Sequence, residues 1–318
     1  MVKIQVVESG SQAKAGLGSG FYVSDSGLVI TNYHVVADLV HNPDRYRAEL
    51  VVGATTSRDV SILAIDVVHD LAVLRTSVRP REYFALEPAA IRQGDRLYSL
   101  GHPNDLGLSI VEGTHNGLLQ HTLYPKLHFT GSINPGMSGG PTITADGRVI
   151  GINVSTSGDQ VSFLVPVERA VALTNSVRAA NYQVPSSLID DVGRQIKAYQ
   201  EVYLKDLFAG QSKTVELGRY RVVTEPAPFF RCWGDATRRK ELRYELADHS
   251  CSTDDYVYVA QGQQSGVVDL SHELVTSSQL SEARFFTLYS SIFESDNTPA
   301  GEEEHVTSWR CSTRNVRN

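Results

Sequence analysis

The sequence predicts a mainly β protein with more than one domain, and three observations support this. Between about residues 16 and 170, short apolar runs separated by turn residues recur roughly every ten residues, which is typical of an all-β barrel or sandwich. This stretch shows no alternation of strands with helix-length segments, so a doubly wound parallel sheet is not expected. Near Val167 the periodicity becomes helical, first at 168–178, and the 318 residues exceed the usual length of one domain.

A second helix is predicted at 184–210. Ser186 or Ser187 offers an N-cap, and Asp190 and Asp191 fall in the first turn, where carboxylates interact favourably with the helix dipole. Apolar residues then recur every three or four positions, as on one face of a helix. We interpret this segment as a helix that links two domains.

The last hundred or so residues predict a smaller, β-rich domain. Its strand-like runs lie at 219–223, 242–246, 256–260, 266–270, 285–293 and 306–309. The predicted organisation is a first domain at 1–183, a linker helix at 184–210 and a β-rich C-terminal domain at 211–318 with no assigned role.

The composition is globular with an acidic balance. Lys and Arg number 29 and Asp and Glu 36, which gives a net charge of −7. Nucleic-acid-binding proteins usually carry a basic patch, so no nucleic-acid partner is expected, and adhesion to an anionic membrane is disfavoured. No apolar run reaches about 18 residues, so no membrane span is predicted.

The three cysteines, Cys232, Cys251 and Cys311, all lie in the last third of the chain. An odd number leaves at least one thiol free or paired between molecules. Their spacing matches no zinc motif, and one disulfide among them would indicate an oxidising compartment. The first residues lack the apolar region of a signal peptide, so any signal segment is absent from this chain.

Three segments carry the residue types that acyl transfer requires. They read TNYHVV at 31–36, HDLAVL at 69–74 and NPGMSGGP at 134–141. A serine hydroxyl is a weak nucleophile that needs a base, and the base needs a carboxylate to fix its tautomer. Ser138 is the candidate nucleophile, His34 the candidate base and Asp70 the candidate carboxylate.

The glycines around Ser138 predict a tight turn that aims backbone amides at one point. A developing oxyanion needs such preorganised donors. We expect the N–H groups of Gly136 and Ser138 to form the oxyanion hole.

These three segments, in the order His, Asp, Ser, resemble the trypsin-like (chymotrypsin-fold) serine peptidases, and most of all the bacterial HtrA/Deg-type proteases, over residues 16–170. The resemblance implies a chymotrypsin-like double β-barrel with the triad in the cleft between the barrels. Asp66, four residues before Asp70, is the alternative carboxylate. Asp70 is preferred because, as in the family, it directly precedes the apolar run at 71–74.

The family's spacing places the floor of the first specificity pocket at Ser132 and one wall at Val154, Ser155 and Thr156. None of these residues has a carboxylate, so cleavage after Lys or Arg is disfavoured. We expect small or aliphatic residues at the cleaved bond.

Two features depart from the family. Met137 stands where HtrA-type proteases usually have Asn and digestive trypsins have Asp, so activation by pairing that Asp with a new N-terminus is not expected. The segment 212–318 shows no PDZ-like carboxylate loop, so capture of peptides in the manner of a PDZ module is not assumed.

The sequence therefore predicts a serine endopeptidase that acts on unfolded or damaged proteins and needs no metal or organic cofactor. The expected partners are protein or peptide substrates; a second copy of the chain and a partner of the C-terminal domain are further candidates. The linker helix is a candidate for contact between copies, and its packing against the barrel is the equal alternative. The family implies an extracytoplasmic location, periplasmic or secreted, with a cytoplasmic enzyme as the alternative. Two other functions stay open: a dedicated processing protease gated by the C-terminal domain, and a catalytically silent binding or signalling protein on a protease scaffold.

Overall fold

The computed structural model describes residues 1–209, 212–237, 243–253 and 255–292. Antiparallel strands dominate it, as the sequence predicts. None of the described helices combines the length and the apolar character that crossing a membrane requires.

The first sheet of the molecule has seven antiparallel strands. They are β1 (Val2–Glu8), β2 (Lys14–Tyr22), β3 (Leu28–Thr31), β4 (Tyr46–Val52), β5 (Thr55–Ser57), β6 (Val60–Asp66) and β7 (Leu71–Thr76), in the order β5-β4-β1-β2-β3-β7-β6. The hairpin predicted between β2 and β3 is present, with Phe21 paired to Ile30. Its turn requires Gly27, which has φ +84°, and the Ser24 hydroxyl accepts a hydrogen bond from the Leu28 amide.

The second sheet closes into a six-stranded barrel. Its strands are β8 (Arg96–Gly101), β9 (Ser109–Leu118), β10 (Leu127–Phe129), β11 (Pro141–Ile143), β12 (Val149–Thr156) and β13 (Ser162–Pro166), in the order β10-β13-β12-β11-β8-β9. Leu97, Phe129, Met137 and Leu164 are fully or almost fully buried in its core. A closed barrel leaves no free sheet edge and holds its connecting loops on a rigid frame.

Three helices accompany the two sheets: α1 (Tyr33–His41), α2 (Val167–Ala179) and α3 (Leu188–Phe208). The helices predicted at 168–178 and 184–210 correspond to α2 and α3. Ser187 is the N-cap of α3, and its hydroxyl accepts a hydrogen bond from the Asp190 amide at 3.2 Å. Helix α1 was not predicted from the sequence, although its valines repeat with helical spacing and its buried face packs on the first sheet.

The C-terminal region is also rich in strands. It contains β14 (Lys213–Leu217), β15 (Tyr220–Glu225), β16 (Arg231–Thr237), β17 (Glu245–Ser252), β18 (Tyr258–Ala260), β19 (Gln263–Gln264), β20 (Asp269–Thr276) and helix α4 (Glu282–Ile292). A disulfide joins Cys232 to Cys251. The predicted strand at 306–309, together with Gly210 and Cys311, lies outside the described residues.

The predicted strand at 285–293 is wrong, because most of this segment lies in helix α4. The Ser281 carbonyl accepts the Phe285 amide at 2.9 Å, which starts the helix, and Glu282 lies in the first turn. The aromatic residues Phe285 and Tyr289 are four positions apart and contact each other along one side of α4.

The chain divides into two compact units. The first consists of Met1–Trp233 and Ser250–Ser271, and the second of Gly234–His249 and His272–Asn318. The first unit therefore includes both sheets, helices α1 to α3 and the β18–β19 hairpin. The predicted boundary at 210/211 does not coincide with this division.

Candidate active site

His34 is the second residue of helix α1, directly after strand β3. Tyr33, Val36 and Val40 are buried on the opposite side of the helix and fix it to the core of the first sheet. The imidazole of His34 keeps 29% of its side-chain surface exposed. The helix therefore presents His34 at the surface while its neighbours anchor it.

Asp70 holds His34 at two points. Its Oδ2 lies 2.6 Å from His34 Nδ1, and its Oδ1 accepts the backbone N–H of His34 at 2.8 Å. Asp70 sits in the turn between β6 and β7 with φ +56°, and its carbonyl accepts a hydrogen bond from the Asn32 side-chain amide at 2.7 Å. This arrangement places the proton of neutral His34 on Nδ1 and leaves Nε2 as the basic nitrogen.

The structure also separates the two candidate carboxylates. Asp66 bonds His69, with its Oδ2 2.8 Å from His69 Nδ1, and the His69 amide donates to Asp66 Oδ1. Asp66 is therefore paired with His69, and Asp70 is the carboxylate that contacts His34.

Two opposing effects act on the pKa of His34. Burial of the imidazole disfavours its charged form, whereas the charge of Asp70 and the hydrogen bond to it favour that form. The contribution of Asp70 prevails, so the pKa of His34 is raised above its ordinary value.

Ser138 lies in the second of two consecutive tight turns that share Met137. The Met137 amide donates to the Asn134 carbonyl across Gly136, which has φ +95°, and the Gly140 amide donates to the Met137 carbonyl across Gly139, which has φ +82°. Positive φ at the third position of each turn suits glycine, and Pro135 precedes Gly136 as in a type II turn. We call residues 134–140 the serine loop, and it is thus built from two glycine-dependent turns.

The same loop is seated against the start of α1. The Ser138 carbonyl accepts the Ser19 amide at 2.8 Å, and a Cβ added at Gly139 would lie 2.9 Å from the Asn32 amide nitrogen. Asn32 is the N-cap of α1 and lies two residues before His34, so this loop lies close to the start of the helix that carries His34. Within the described part of the chain no hydrogen bond joins the Ser138 hydroxyl to His34; in unliganded sites such contacts are commonly long.

Two amides of the serine loop are free to bind an anion. Among the described residues, the N–H groups of Gly136 and Ser138 donate to no acceptor. The loop is held from outside instead: the Ser19 hydroxyl donates to the Gly136 carbonyl at 2.7 Å, and the Asn104 amide donates to the Pro135 carbonyl at 2.8 Å. Fixed, unpaired amides of this kind can stabilise a developing oxyanion.

Sequence reasoning missed Asn153, a fully buried residue of β12 that holds the serine loop in place. Its Nδ2 donates to the carbonyls of Met137 and Leu100, both at 3.1 Å. Its Oδ1 accepts hydrogen bonds from the hydroxyls of Ser99 and Thr142, at 2.8 and 2.7 Å. The available signal was a polar residue in the middle of an apolar strand.

The presence of Met137 directly before Ser138 has a structural explanation. Its side chain is fully buried in the core of the barrel, and the Cα of Gly101 lies so close that an added Cβ there would be 2.7 Å from the Met137 Cα. The residue before Ser138 therefore contributes to the core rather than to an ion pair.

A cavity of about 340 Å³ lies beside His34. Val154, Ser155 and Thr156 line it together with His34 and Asp70. Ser132 is exposed and is not part of this lining. The structure thus brings the predicted wall next to His34 and leaves the predicted floor outside this cavity.

The comparisons with known proteins match this part of the chain. Residues 18–152 match the family model of the trypsin-like peptidase domain. The resemblance predicted from the sequence is thereby confirmed, since this range contains all three quoted segments.

The similar curated proteins are serine proteases by name. The mitochondrial serine protease HTRA2 of Bos taurus is 32% identical over 171 residues, which are 51% of this chain and 36% of that protein. A probable periplasmic serine endoprotease, DegP-like, of Halomonas elongata is 33% identical over 183 residues, which are 53% of this chain and 36% of that protein. The chain therefore spans little more than a third of the length of these relatives.

A solved structure also resembles the chain. The crystal structure of the serine endoprotease from Yersinia pestis matches 55% of this chain and 62% of that one, with 25% sequence identity and a TM-score of 0.45.

Proposed function

We propose that this protein is a serine endopeptidase with Ser138 as nucleophile, His34 as general base and Asp70 as the residue that orients His34. The observation that supports the proposal most directly is the pair of hydrogen bonds between Asp70 and His34. The loop of Ser138, whose turns depend on Gly136 and Gly139, lies next to them. The likeness to the trypsin-like peptidase domain supports it.

The proposed reaction proceeds through an acyl-enzyme. Ser138 Oγ attacks the carbonyl carbon of the scissile bond while His34 Nε2 accepts the hydroxyl proton. The amides of Gly136 and Ser138 donate hydrogen bonds to the resulting oxyanion. His34 then gives the proton to the leaving amine, and a water molecule activated by His34 releases the acyl product from Ser138.

The proposed preference is for small or aliphatic residues at the cleaved bond. Ser132, Val154, Ser155 and Thr156 bring no carboxylate that could pair with a Lys or Arg side chain. We propose unfolded or damaged proteins as the substrate class, since open chains can enter a cleft that folded proteins cannot.

An extracytoplasmic location is proposed as well. The disulfide between Cys232 and Cys251 supports it, because disulfides persist mainly in oxidising compartments. Three similar proteins are named as probable periplasmic serine endoproteases. Self-association and a partner of the C-terminal region stay predictions.

The test is a digestion of unfolded casein by the wild type and by Ser138→Ala, with products mapped by mass spectrometry. The wild type is expected to cleave and Ser138→Ala to lose about 10⁶ in kcat, or about 8 kcal/mol of transition-state stabilisation. Near-normal cleavage by Ser138→Ala would overturn the proposed mechanism.

Labelling of Ser138 by a fluorophosphonate distinguishes the two alternative functions, a dedicated processing protease and a catalytically silent binding protein. Labelling without cleavage of casein would favour a dedicated processing protease. A wild type that is neither labelled nor active on casein would favour a binding protein on a protease scaffold.

A further inference from the structure

Residues 255–258 of the C-terminal region lie beside His34, and we call them the cleft wall. The Tyr258 ring stands edge-on to the His34 imidazole, with 6.0 Å between ring centroids. Asp255, Tyr256 and Tyr258 line the same 340 Å³ cavity as His34 and the predicted pocket wall at 154–156. A segment more than 220 positions after His34 along the chain thus borders the candidate active site.

The cleft wall is fixed to the barrel at its first residue. The carboxylate of Asp255 pairs with Lys126 Nζ at 2.7 Å and accepts the Leu123 amide at 3.3 Å. The side chains of Lys126 and Asp255 are only 12% and 17% exposed. Partial burial shields this ion pair from solvent better than a surface pair.

The wall is fixed to helix α1 at its other end. Val257 is 1% exposed within the core of the first sheet. The next residue after the wall, Val259, accepts hydrogen bonds through its carbonyl from the Tyr33 hydroxyl at 2.7 Å and from His41 Nε2 at 3.0 Å. Both donors belong to α1, the helix that carries His34, so the wall and the imidazole share one support.

The cavity beside the wall is mainly apolar. The charges of Lys126 and Asp255 neutralise each other, and His34 and Asp70 bond each other. Apart from Ser155 and Thr156, the rest of the lining is apolar or aromatic: Val67, Val68, Tyr124, Val154, Phe163, Tyr256 and Tyr258. Such a lining favours an apolar side chain over a charged one.

The wall flanks the cavity without filling it. The cavity keeps its volume with Tyr258 in place, and the His34 side chain stays partly exposed. A segment that blocked the site would cover the imidazole. The geometry therefore fits a substrate pocket better than an inhibitory plug.

We propose that the cleft wall makes this protein selective for an apolar side chain at one substrate position. This position is the residue directly N-terminal to the one whose carbonyl Ser138 attacks. The inference rests on the proposed function. In that reaction the residue at the cleaved bond would lie against the proposed pocket wall at 154–156, and this wall lines the cavity together with His34. Tyr258 and Tyr256 add two aromatic rings from the C-terminal region to the lining of this cavity.

The test uses a peptide chosen from the casein cleavage map of the full-length wild type. The residue directly N-terminal to the one whose carbonyl is attacked is either Leu or Gly in two otherwise identical peptides. The ratio of kcat/KM for the Leu peptide to kcat/KM for the Gly peptide is measured. The wild type is expected to favour Leu by about tenfold or more, as one buried aliphatic side chain allows. Tyr258→Ala should reduce this ratio at least about threefold, and Tyr258→Phe should restore it because the ring is retained.

A matched control is Tyr220→Ala, which removes a tyrosine that is 44% exposed on β15 and does not line the cavity. Its Leu:Gly ratio should equal that of the wild type. Tyr256→Ala is the second variant: its side chain is 46% exposed, so its removal should leave the fold intact while lowering the ratio. It decides the question if Tyr258→Ala fails to fold or to be labelled at Ser138.

An unchanged Leu:Gly ratio in the folded wall variants, with the wild type labelled and active, would overturn the inference alone. An equal rise of kcat/KM for both peptides in Tyr258→Ala would also overturn it, since it would reveal a plug. A wild type that is neither labelled nor active would overturn the proposed function and this inference with it.

Discussion

The carboxylate of Asp70 and the imidazole of His34 are joined by a 2.6 Å hydrogen bond, and the second oxygen of Asp70 accepts the amide of His34 itself. The backbone contact fixes the start of helix α1, and the side-chain contact fixes the ring. One residue therefore controls both the position and the tautomer of the proposed base.

Replacing Asp70 by Asn should lower kcat by about 10⁴, because an amide in this place favours the wrong tautomer of His34. The measurement is kcat on the mapped peptide. The matched control is Asp66→Asn, which removes the neighbouring carboxylate that bonds His69 instead of His34. An equal loss in both variants would show that Asp70 has no special part in catalysis.

The acid limb of the pH profile should have its midpoint above 6.5, the ordinary pKa of histidine. The charge of Asp70 outweighs burial and raises the pKa of His34, and only neutral His34 can accept a proton. In Asp70→Asn the limb should move to lower pH, because burial then acts without the carboxylate. The measurement is kcat/KM against pH, and a wild-type midpoint below 6.5 would contradict the expected shift.

The same pKa shift gives a stability effect of definite sign. A raised pKa in the folded state means that protonated His34 stabilises the fold at pH below its unfolded value of about 6.5. This contribution disappears as the pH rises through the folded pKa.

The candidate catalytic residues could be predicted from the sequence because each lies in a short contiguous segment with a recognisable pattern. The serine loop is such a case: Pro135, Gly136 and Gly139 specify its turns by backbone preference alone. Asp70 could be preferred over Asp66 by its place before an apolar run, and the hydrogen bonds agree.

Long-range features could not be predicted in this way. Asn153 binds Ser99, Leu100 and Met137, which are far away in sequence, and the polarity of one strand residue does not reveal its partners. The position of Tyr258 beside His34 likewise follows from tertiary packing. At 285–293 the apolar run fitted a strand as well as a helix, and the local start at Ser281 favours the helix.

Replacing Ser187 by Ala should destabilise the protein by about 1 kcal/mol, because the Asp190 amide loses its cap at the start of α3. The matched control is Ser186→Ala, which removes the exposed hydroxyl one residue earlier. The measurement is the urea midpoint of the transition that includes α3. Equal midpoints for the two variants would argue against a capping role for Ser187.

Replacing Asn153 by Ala should destabilise the fold by about 3 kcal/mol, because four buried hydrogen bonds lose their common partner. Release of the Met137 carbonyl should also loosen the serine loop and lower kcat by about 10-fold to 100-fold. Urea unfolding and kcat are measured together. Asn175→Ala, which changes an exposed residue of α2, is the control and should alter neither quantity.

Replacing Gly136 by Ala should lower kcat by about 10² to 10³, the loss typical of one missing oxyanion donor. A Cβ at Gly136 would lie 2.4 Å from the His102 carbonyl oxygen, so the turn and its amide must shift. Gly94→Ala is a matched control, since Gly94 has φ +98° against +95° for Gly136 but has open space around the added carbon. Both variants incur a backbone cost of about 1 to 2 kcal/mol in stability, whereas only Gly136→Ala should lose activity. A full kcat in folded Gly136→Ala would mean that this amide does not stabilise the oxyanion.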